Sequence, residues 1–265
     1  MEICEDKLNL KQHGFLPSRS CTTQMIPFID NLAITLNDVS HTDIIYFDFA
    51  KAFDSVNHDI ILSKLKLHFH IDGLLLKFLV NYLKDRKQLV VIGGSKSGVL
   101  PVISGVPQGS ILGPLLFVLF INDLPDCISQ GTNIALYADD TKIWRKINSS
   151  NDEKILQRDI NALFTWSKRN KMIFHPKKCK VLSVSSYNRP FYVLPFYRFV
   201  YSLDNECLDY VDMEKDLGVH VTSKLNWKKH ITYLCSKGNR MLGLIQRTCH
   251  FVKYPLQKRV LYRTL

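Results

Sequence analysis

The chain has 265 residues, of which 46% are hydrophobic and 22% charged. That balance supports one large packed domain, or one domain and the start of a second, and excludes a disordered chain. Lysine and arginine outnumber aspartate and glutamate by 35 to 24, a formal charge of +11, which fits a polyanionic partner. The longest clean apolar run, Leu115 to Ile121, is far below the roughly 20 residues of a membrane-spanning helix, so no membrane partner is expected.

Seven cysteines (Cys4, Cys21, Cys127, Cys179, Cys207, Cys235, Cys249) form no Cys-x-x-Cys pair and are odd in number. This argues against a zinc knuckle and against a disulfide framework. Met1 to Asp6 is acidic and lacks the apolar core of a secretory signal. An intracellular, reducing location is therefore expected, in nucleus or cytoplasm.

Gln12-His13-Gly14-Phe15 precedes a stretch in which Met25, Ile29, Leu32 and Leu36 recur at helical spacing behind Thr22 and Thr23, the pattern of an amphipathic helix. Ile44 to Phe49 is apolar on both faces, as in a central strand, yet carries Asp48 near its C-terminal end. A carboxylate there is costly unless something pairs with it. His58 to Phe69 and Asp72 to Lys84 read as helices, the second with Asp72 as N-cap and Leu75, Leu79 and Leu83 on one face. A turn and a β-rich run, Gln88 to Ile92, then lead to Gly105-Val106-Pro107-Gln108-Gly109-Ser110. The glycines allow close backbone approach, and a helix through Leu115 to Phe120 follows. Local turn preferences account for Pro107 but not for Gln108.

Ile134 to Tyr137 and Thr141 to Trp144 alternate as two strands around Tyr137-Ala138-Asp139-Asp140, which reads as a hairpin tip. Adjacent strand side chains point to opposite faces, so two neighbouring acids can serve one site only where the backbone turns. A solvated Asp-rich turn is the plain alternative. Two acids this close repel each other, and a divalent cation is the simplest compensation; Mg²⁺ favours oxygen ligands at roughly 2.0 to 2.1 Å. A cation shared with Asp48 offsets that carboxylate too. Three acids from two strands can hold two Mg²⁺ ions about 3.5 to 4 Å apart, an arrangement suited to phosphoryl transfer.

Beyond the hairpin, Ser150-Asn151-Asp152-Glu153 has the form of a capping box and opens a helix with Leu156, Ile160 and Leu163 inward. Lys178 follows Pro176 in a basic loop before a strand, Val181 to Val184, and residues 187–210 are aromatic-rich without a usable pattern. From Asn226 onward, Ile231, Leu234, Met241, Leu242 and Ile245 describe a helix whose other positions include Lys228, Lys229, Lys237, Arg240 and Arg247. A solvated face is the default reading of such charge. The β/α alternation is that of a sheet backed by helices.

Phe47 to Asp54, Gly105 to Pro114 and Tyr137 to Asp140 resemble motifs A, B and C of a reverse transcriptase. Their order and the extended wording of the second resemble most closely the enzymes of non-long-terminal-repeat (LINE- or jockey-like) retrotransposons. Gln12 to Phe15 with Arg19-Ser20, Asn122-Asp123-Leu124-Pro125, Trp166 to Asn170, Lys178-Cys179, Leu217-Gly218-Val219 and Leu225-x-Trp227-x-x-His230 extend the resemblance over nearly the whole chain. It implies an α+β right-hand polymerase fold: a palm with a central antiparallel sheet and partial fingers over residues 1–222, then the start of a helical thumb over 223–265.

The activity so implied is RNA-directed DNA synthesis from an RNA template, a DNA primer and deoxynucleoside triphosphates, with two Mg²⁺ ions or Mn²⁺ in their place. By the same resemblance Asp48 and Asp139 are bridging ligands expected within metal-bridging distance, Asp140 is a weaker ligand, and the Phe49 carbonyl completes the shell. Phe49, Ala50, Gln108 and Gly109 belong to the nucleotide site, and Phe53 matches the aromatic gate that blocks a ribose 2′-hydroxyl. Asp54 anchors its loop by hydrogen bonds. Lys178 matches the lysine that protonates pyrophosphate, with a solvated basic loop as the equal alternative. Leu217, Gly218 and Val219 match the primer grip, and Lys228, Lys229, Lys237 and Arg240 a thumb helix that tracks phosphates.

A binding-only remnant, truncated or domesticated, is the competing reading. The family's upstream fingers are not in the chain, and Tyr262 to Leu265 looks like an unfinished thumb. An intron-encoded maturase shares motifs A to C but fits Gly105 to Pro114 less well. No endonuclease is visible.

Overall fold

The computed structural model describes residues 6–37, 41–186, 199–248 and 255–264. The acidic start at 1–5, residues 187–198 of the aromatic-rich stretch, Cys4, Cys249 and Leu265 lie outside the described residues. The chain divides into two compact units, Met1–Val211 and Asp212–Leu265.

The first unit runs α1 (Cys21–Asn37), β1 (His41–Phe47), α2 (Ala52–Ser55), α3 (His58–Leu67) and α4 (Gly73–Leu83). Four two-residue strands follow: β2 (Lys87–Gln88), β3 (Val91–Ile92), β4 (Ser95–Lys96) and β5 (Leu100–Pro101). Then come α5 (Leu112–Phe120), β6 (Asn133–Tyr137), β7 (Asp140–Ile147), α6 (Ser150–Arg169) and β8 (Lys180–Ser185), with β9 (Ser202–Leu203), β10 (Glu206–Cys207) and β11 (Asp209–Val211) closing the unit.

Five strands form the central sheet in the order β11-β8-β1-β7-β6. All neighbours are antiparallel except β11, which lies parallel to β8. With β7 on one side and β8 on the other, β1 is the innermost strand, which is why it reads as an unbroken apolar run: Ile44 and Ile45 are completely buried. The free edge of β6 is covered by the segment around Gln12, where Leu136 O accepts the His13 N–H at 2.8 Å and Lys11 O accepts the Leu136 N–H at 2.9 Å.

Helix α1 buries Met25, Phe28 and Leu32, with Ile29 and Leu36 half-buried, and starts on a reciprocal pair of bonds between Ser20 and Thr23. Helix α6 buries Leu156, Ile160, Leu163 and Trp166. Its cap lies one residue before the expected one: Asp152 accepts the Ser149 N–H at 3.1 Å and the Ser149 hydroxyl at 2.9 Å. The shorter aspartate reaches back three residues while Arg145 holds its other oxygen at 3.1 Å, so Ser149 caps the helix and Ser150 begins it. In α4 Leu79 and Leu83 are buried but Leu75 is exposed, and Asp72 makes no side-chain cap bond. The core-facing positions are Leu76, Leu79 and Leu83, one residue out of step with Leu75.

One buried polar node joins three helical segments. The Lys64 ammonium on α3 donates to Asp123 Oδ1 at 2.7 Å and to Phe120 O at 2.8 Å, 4.8 Å from the ring centres of both Phe120 and Trp166. The Trp166 indole donates to the same Asp123 oxygen at 3.0 Å. Burial pulls the Lys64 pKa down, and the Asp123 carboxylate opposes it. Asp123 and Trp166 thus balance and satisfy the Lys64 charge, while Asn122 ties down the N-terminal segment by accepting the Asn9 N–H at 2.7 Å and donating to Lys7 O at 2.8 Å.

In the second unit β12 (Met213–Asp216) and β13 (Val219–Thr222) form a hairpin, followed by α7 (Lys228–Thr248) and α8 (Pro255–Thr264). Leu217 and Gly218, at φ 46° and 87°, make its two-residue turn, the left-handed pair that a twisted hairpin favours. Ile231, Leu234 and Leu242 on α7 are exposed and Ile245 is buried. Among the described residues no helix is long and apolar enough to cross a membrane, and Cys21, Cys127, Cys179, Cys207 and Cys235 are free thiols.

Removing Asp123 strands a buried ammonium, so Asp123→Ala is expected to cost about 3 kcal/mol of folding stability, measured by urea denaturation. Lys64→Met with Asp123→Leu, which removes both charges, restores most of that loss.

Candidate active site

Strand β1 ends at Phe47, opposite Thr141 of β7, so Asp48 leaves the sheet beside the start of the β6–β7 hairpin. Tyr137 pairs with Asp140, leaving Ala138 and Asp139 as a two-residue loop. Ala138 sits at φ 56°, a position that glycine takes more easily. What holds it there is Gln12, fully buried, whose side-chain oxygen accepts the Ala138 N–H at 3.0 Å and the Gly14 N–H at 2.6 Å. Two N–H donors fix which end of the amide faces the tip. Gly14 packs so closely that a Cβ there would lie 2.3 Å from the Ala138 nitrogen. The Gln12 to Phe15 segment, matched in sequence without a role, is thus the clamp on the acidic turn.

The turn brings two of the three acids together. Asp139 is half-buried, and its carboxyl pKa is raised, first by burial and then by the Asp48 charge facing it. Asp140, at the first position of β7, is exposed. Among the described residues no three His, Cys, Asp or Glu side chains gather as a ready metal cluster. The donors present nevertheless suit a hard divalent cation: two carboxylates forced together, with Asp48 Oδ2 buried and without a hydrogen-bond partner. The main chain on either side of Phe49 is pinned. His175 N–H donates to Asp48 O and Ala50 N–H to Ile173 O, both at 2.8 Å, around the Phe49–Phe174 bridge. These bonds continue the antiparallel pairing past the end of β1 and spend the Ala50 N–H. The Phe49 ring stacks on Phe174 with centres 4.2 Å apart, so its side chain is core.

The glycine-rich loop is tied to the turn after β1. Gln108 donates to Asp54 Oδ1 at 3.0 Å, and Ser104 donates to Asp54 O at 2.9 Å. Gly105, at φ 89°, approaches until a Cβ would lie 2.9 Å from the Asp54 Cα. Ser110 then caps α5, accepting the Gly113 N–H at 2.9 Å. Gly109, at φ 78°, is exposed with open space around it. Phe53 is half-buried, stacked on Phe117 with centres 4.4 Å apart and edge-on to Phe15 at 6.1 Å.

Beside this loop opens a cleft of about 640 Å³ whose walls carry Lys51, Arg86 and Lys87 around Asp54 and Gln108. These three cations were not singled out in sequence. Lys51 hides inside the apolar wording of its motif, and Arg86-Lys87 reads as an ordinary turn. Lys178 is exposed and pairs with Asp48. In the second unit Leu217 and Gly218 form a hairpin tip with Val219 opening β13, and Lys228, Lys229, Lys237 and Arg240 are exposed along α7.

The sequence matches the reverse transcriptase (RNA-dependent DNA polymerase) family across residues 2–237. It is 29% identical, over 83% of its length, to the probable RNA-directed DNA polymerase from transposon BS of Drosophila melanogaster. It is 30% identical, over 71% of its length, to the RNA-directed DNA polymerase from mobile element jockey of the same organism. The chain spans 24% and 20% of those two relatives. Apo telomerase from Candida Tropicalis, truncated from its C-terminal domain, superposes with a TM-score of 0.56 over 82% of this chain and 40% of that one, at 10% identity. Telomerase from Candida albicans, in complex with a fragment of telomeric RNA, gives 0.55 over 80% of this chain and 34% of that one, at 12% identity. At those identities the likeness is one of fold.

Two outcomes test the geometry. Gly14→Ala pushes a methyl into the Ala138 backbone and is expected to cost about 1 to 3 kcal/mol by urea denaturation. Asp139→Asn works the other way. A carboxyl whose folded pKa is raised destabilises the fold once pH exceeds its unfolded value, so removing the charge raises the melting temperature in EDTA at pH 7 and has no effect below pH 3.

Proposed function

The chain belongs to the reverse transcriptase family and has the right-hand polymerase fold, and from that premise we propose that it is the RNA-directed DNA polymerase module of a non-long-terminal-repeat retrotransposon. One observation carries this reading: Asp48, just past the end of β1, and Asp139, in the β6–β7 turn, come from remote sequence to neighbouring strand ends, and the Asp48 charge adds to burial in raising the Asp139 pKa. A turn that merely served solvent would not need a buried glutamine to hold its acids beside another carboxylate.

Asp48 and Asp139, with the Phe49 carbonyl and Asp140, would hold divalent cations, two Mg²⁺ ions or Mn²⁺ in their place. Such a pair of ions supplies charge neutralisation to a primer 3′-hydroxyl attacking an α-phosphate and to the departing pyrophosphate. The protein's own part is positioning. Gln108 and Gly109 border the incoming nucleotide, with Asp54 fixing the angle of the loop. Phe53, backed by Phe117, stands where a ribose 2′-hydroxyl would project and selects deoxynucleotides. Lys51, Arg86 and Lys87 offer their charges to phosphates of the RNA template or the nucleotide. Leu217 to Val219 serve as primer grip, and Lys228, Lys229, Lys237 and Arg240 track the duplex from a thumb that begins at 223. Intact acids, Gln108 and Phe53 favour this module over a binding-only remnant.

Primer extension on an annealed RNA template and DNA primer, with deoxynucleotides and Mg²⁺, tests it. Extension is expected, and its loss in Asp139→Asn assigns it to this site; a duplex that is bound but never extended rejects the polymerase. Phe53→Val is expected to raise use of ribonucleotides over deoxynucleotides by about ten-fold or more, the scale of a steric contact. Arg86→Ala with Lys87→Ala weakens duplex binding and flattens its salt dependence by roughly one unit of slope per lost phosphate contact.

A further inference from the structure

Lys178 sits where the metal-site reading places a cation. Its Nζ lies 3.2 Å from Asp48 Oδ2, the same oxygen that is buried without a hydrogen-bond partner. The contact is therefore ionic and lacks the alignment of a hydrogen bond. It is also built rather than incidental. Residues Pro176–Lys178 form a single 3₁₀ turn, with Lys178 N–H donating to His175 O at 2.8 Å. His175 N–H in turn donates to Asp48 O, and Cys179, completely buried, closes the turn by donating to His175 O and Pro176 O. The backbone of the lysine turn is thus fastened to the backbone of the very residue its side chain neutralises.

A carboxylate held beside Asp139 needs a counter-charge in every state of the protein. We propose that the Lys178 ammonium is that counter-charge whenever Asp48 holds no divalent cation, so that lysine and metal compete for one carboxylate. This rests on the reading of Asp48 and Asp139 as metal ligands and adds a positioning residue to it. Lys178 keeps Asp48 oriented in the metal-free protein, and is released from it as a divalent cation takes the oxygen. The ammonium is then free only in the loaded site. With side-chain exposures of 61% for Lys178 and 43% for Asp48, the pair is weak enough to be exchanged.

The test is Mn²⁺ binding to the purified 265-residue chain without nucleic acid, followed by electron paramagnetic resonance of the free ion. Competition predicts that Lys178→Met binds Mn²⁺ about two- to five-fold more tightly than the wild type, the scale of a partly exposed ion pair. Lys178→Arg, which keeps the charge, stays near the wild-type value. Melting in EDTA adds a readout of folding: Lys178→Met melts lower there and recovers on adding Mn²⁺. Equal or weaker Mn²⁺ binding by Lys178→Met, with binding still lost in Asp139→Asn, overturns the competition while leaving the metal site standing. A wild type with no Mn²⁺ binding that Asp139→Asn removes overturns the metal site, and the competition with it.

Discussion

Two carboxylates that repel each other set the terms for this structure. Asp48 and Asp139 come from the ends of neighbouring antiparallel strands, and burial together with mutual charge makes ionisation of Asp139 harder than in water. A fold left to its own stability would turn such side chains outward. Keeping them half-buried at neighbouring strand ends takes backbone-level restraint. The Gln12 amide holds the hairpin tip, the 173–175 segment pairs with the chain around Phe49, and the Lys178 turn hangs from Asp48 itself. The site is a strained, charge-loaded point for which the rest of the first unit is the support.

That support is arranged in shells of increasing generality. Closest in are contacts that tolerate only one residue: Gly14 against the Ala138 nitrogen and Gly105 against the Asp54 backbone. Next come polar ties such as Gln108 to Asp54, which couple the loop before α5 to the turn after β1. Farthest out, Lys64 and Asp123 neutralise each other while the Trp166 indole donates to the same carboxylate, which ties α3 and α6 to the segment after α5. Residues of all three kinds fall in recognisable motifs, yet their work differs. Similarity of wording marked Asp123 and Gln12 alike and assigned a role to neither.

The two units deserve different weight. The first carries its own core, its own sheet and the whole carboxylate site. The second, with its left-handed hairpin turn and a helix that leaves Ile231, Leu234 and Leu242 exposed, is read as primer grip and thumb by wording and charge. Lys228, Lys229, Lys237 and Arg240 are exposed along that helix, and the proposed duplex contacts, being independent of sequence, would need charge at intervals rather than a shaped pocket.

Much was legible in the chain itself. Periodicity placed β1, the β6–β7 hairpin, α1, α3 and α6, because an apolar run between turn residues leaves few alternatives. The acids were marked out by the oddity of a carboxylate ending a two-sided apolar strand and of two more at a turn. The errors were local: Leu75 is exposed because the buried face of α4 runs through Leu76, Leu79 and Leu83, and the cap of α6 moved to Ser149 because Asp152 reaches back with Arg145 behind it. Tertiary structure alone decided the rest. Sequence carries no distance between Gln12 and Ala138, between Lys178 and Asp48, or between Gln108 and Asp54. Those pairings arise only when the strand order brings remote segments edge to edge, and hydrogen bonds and ion pairs depend on tenths of an ångström that periodicity does not encode.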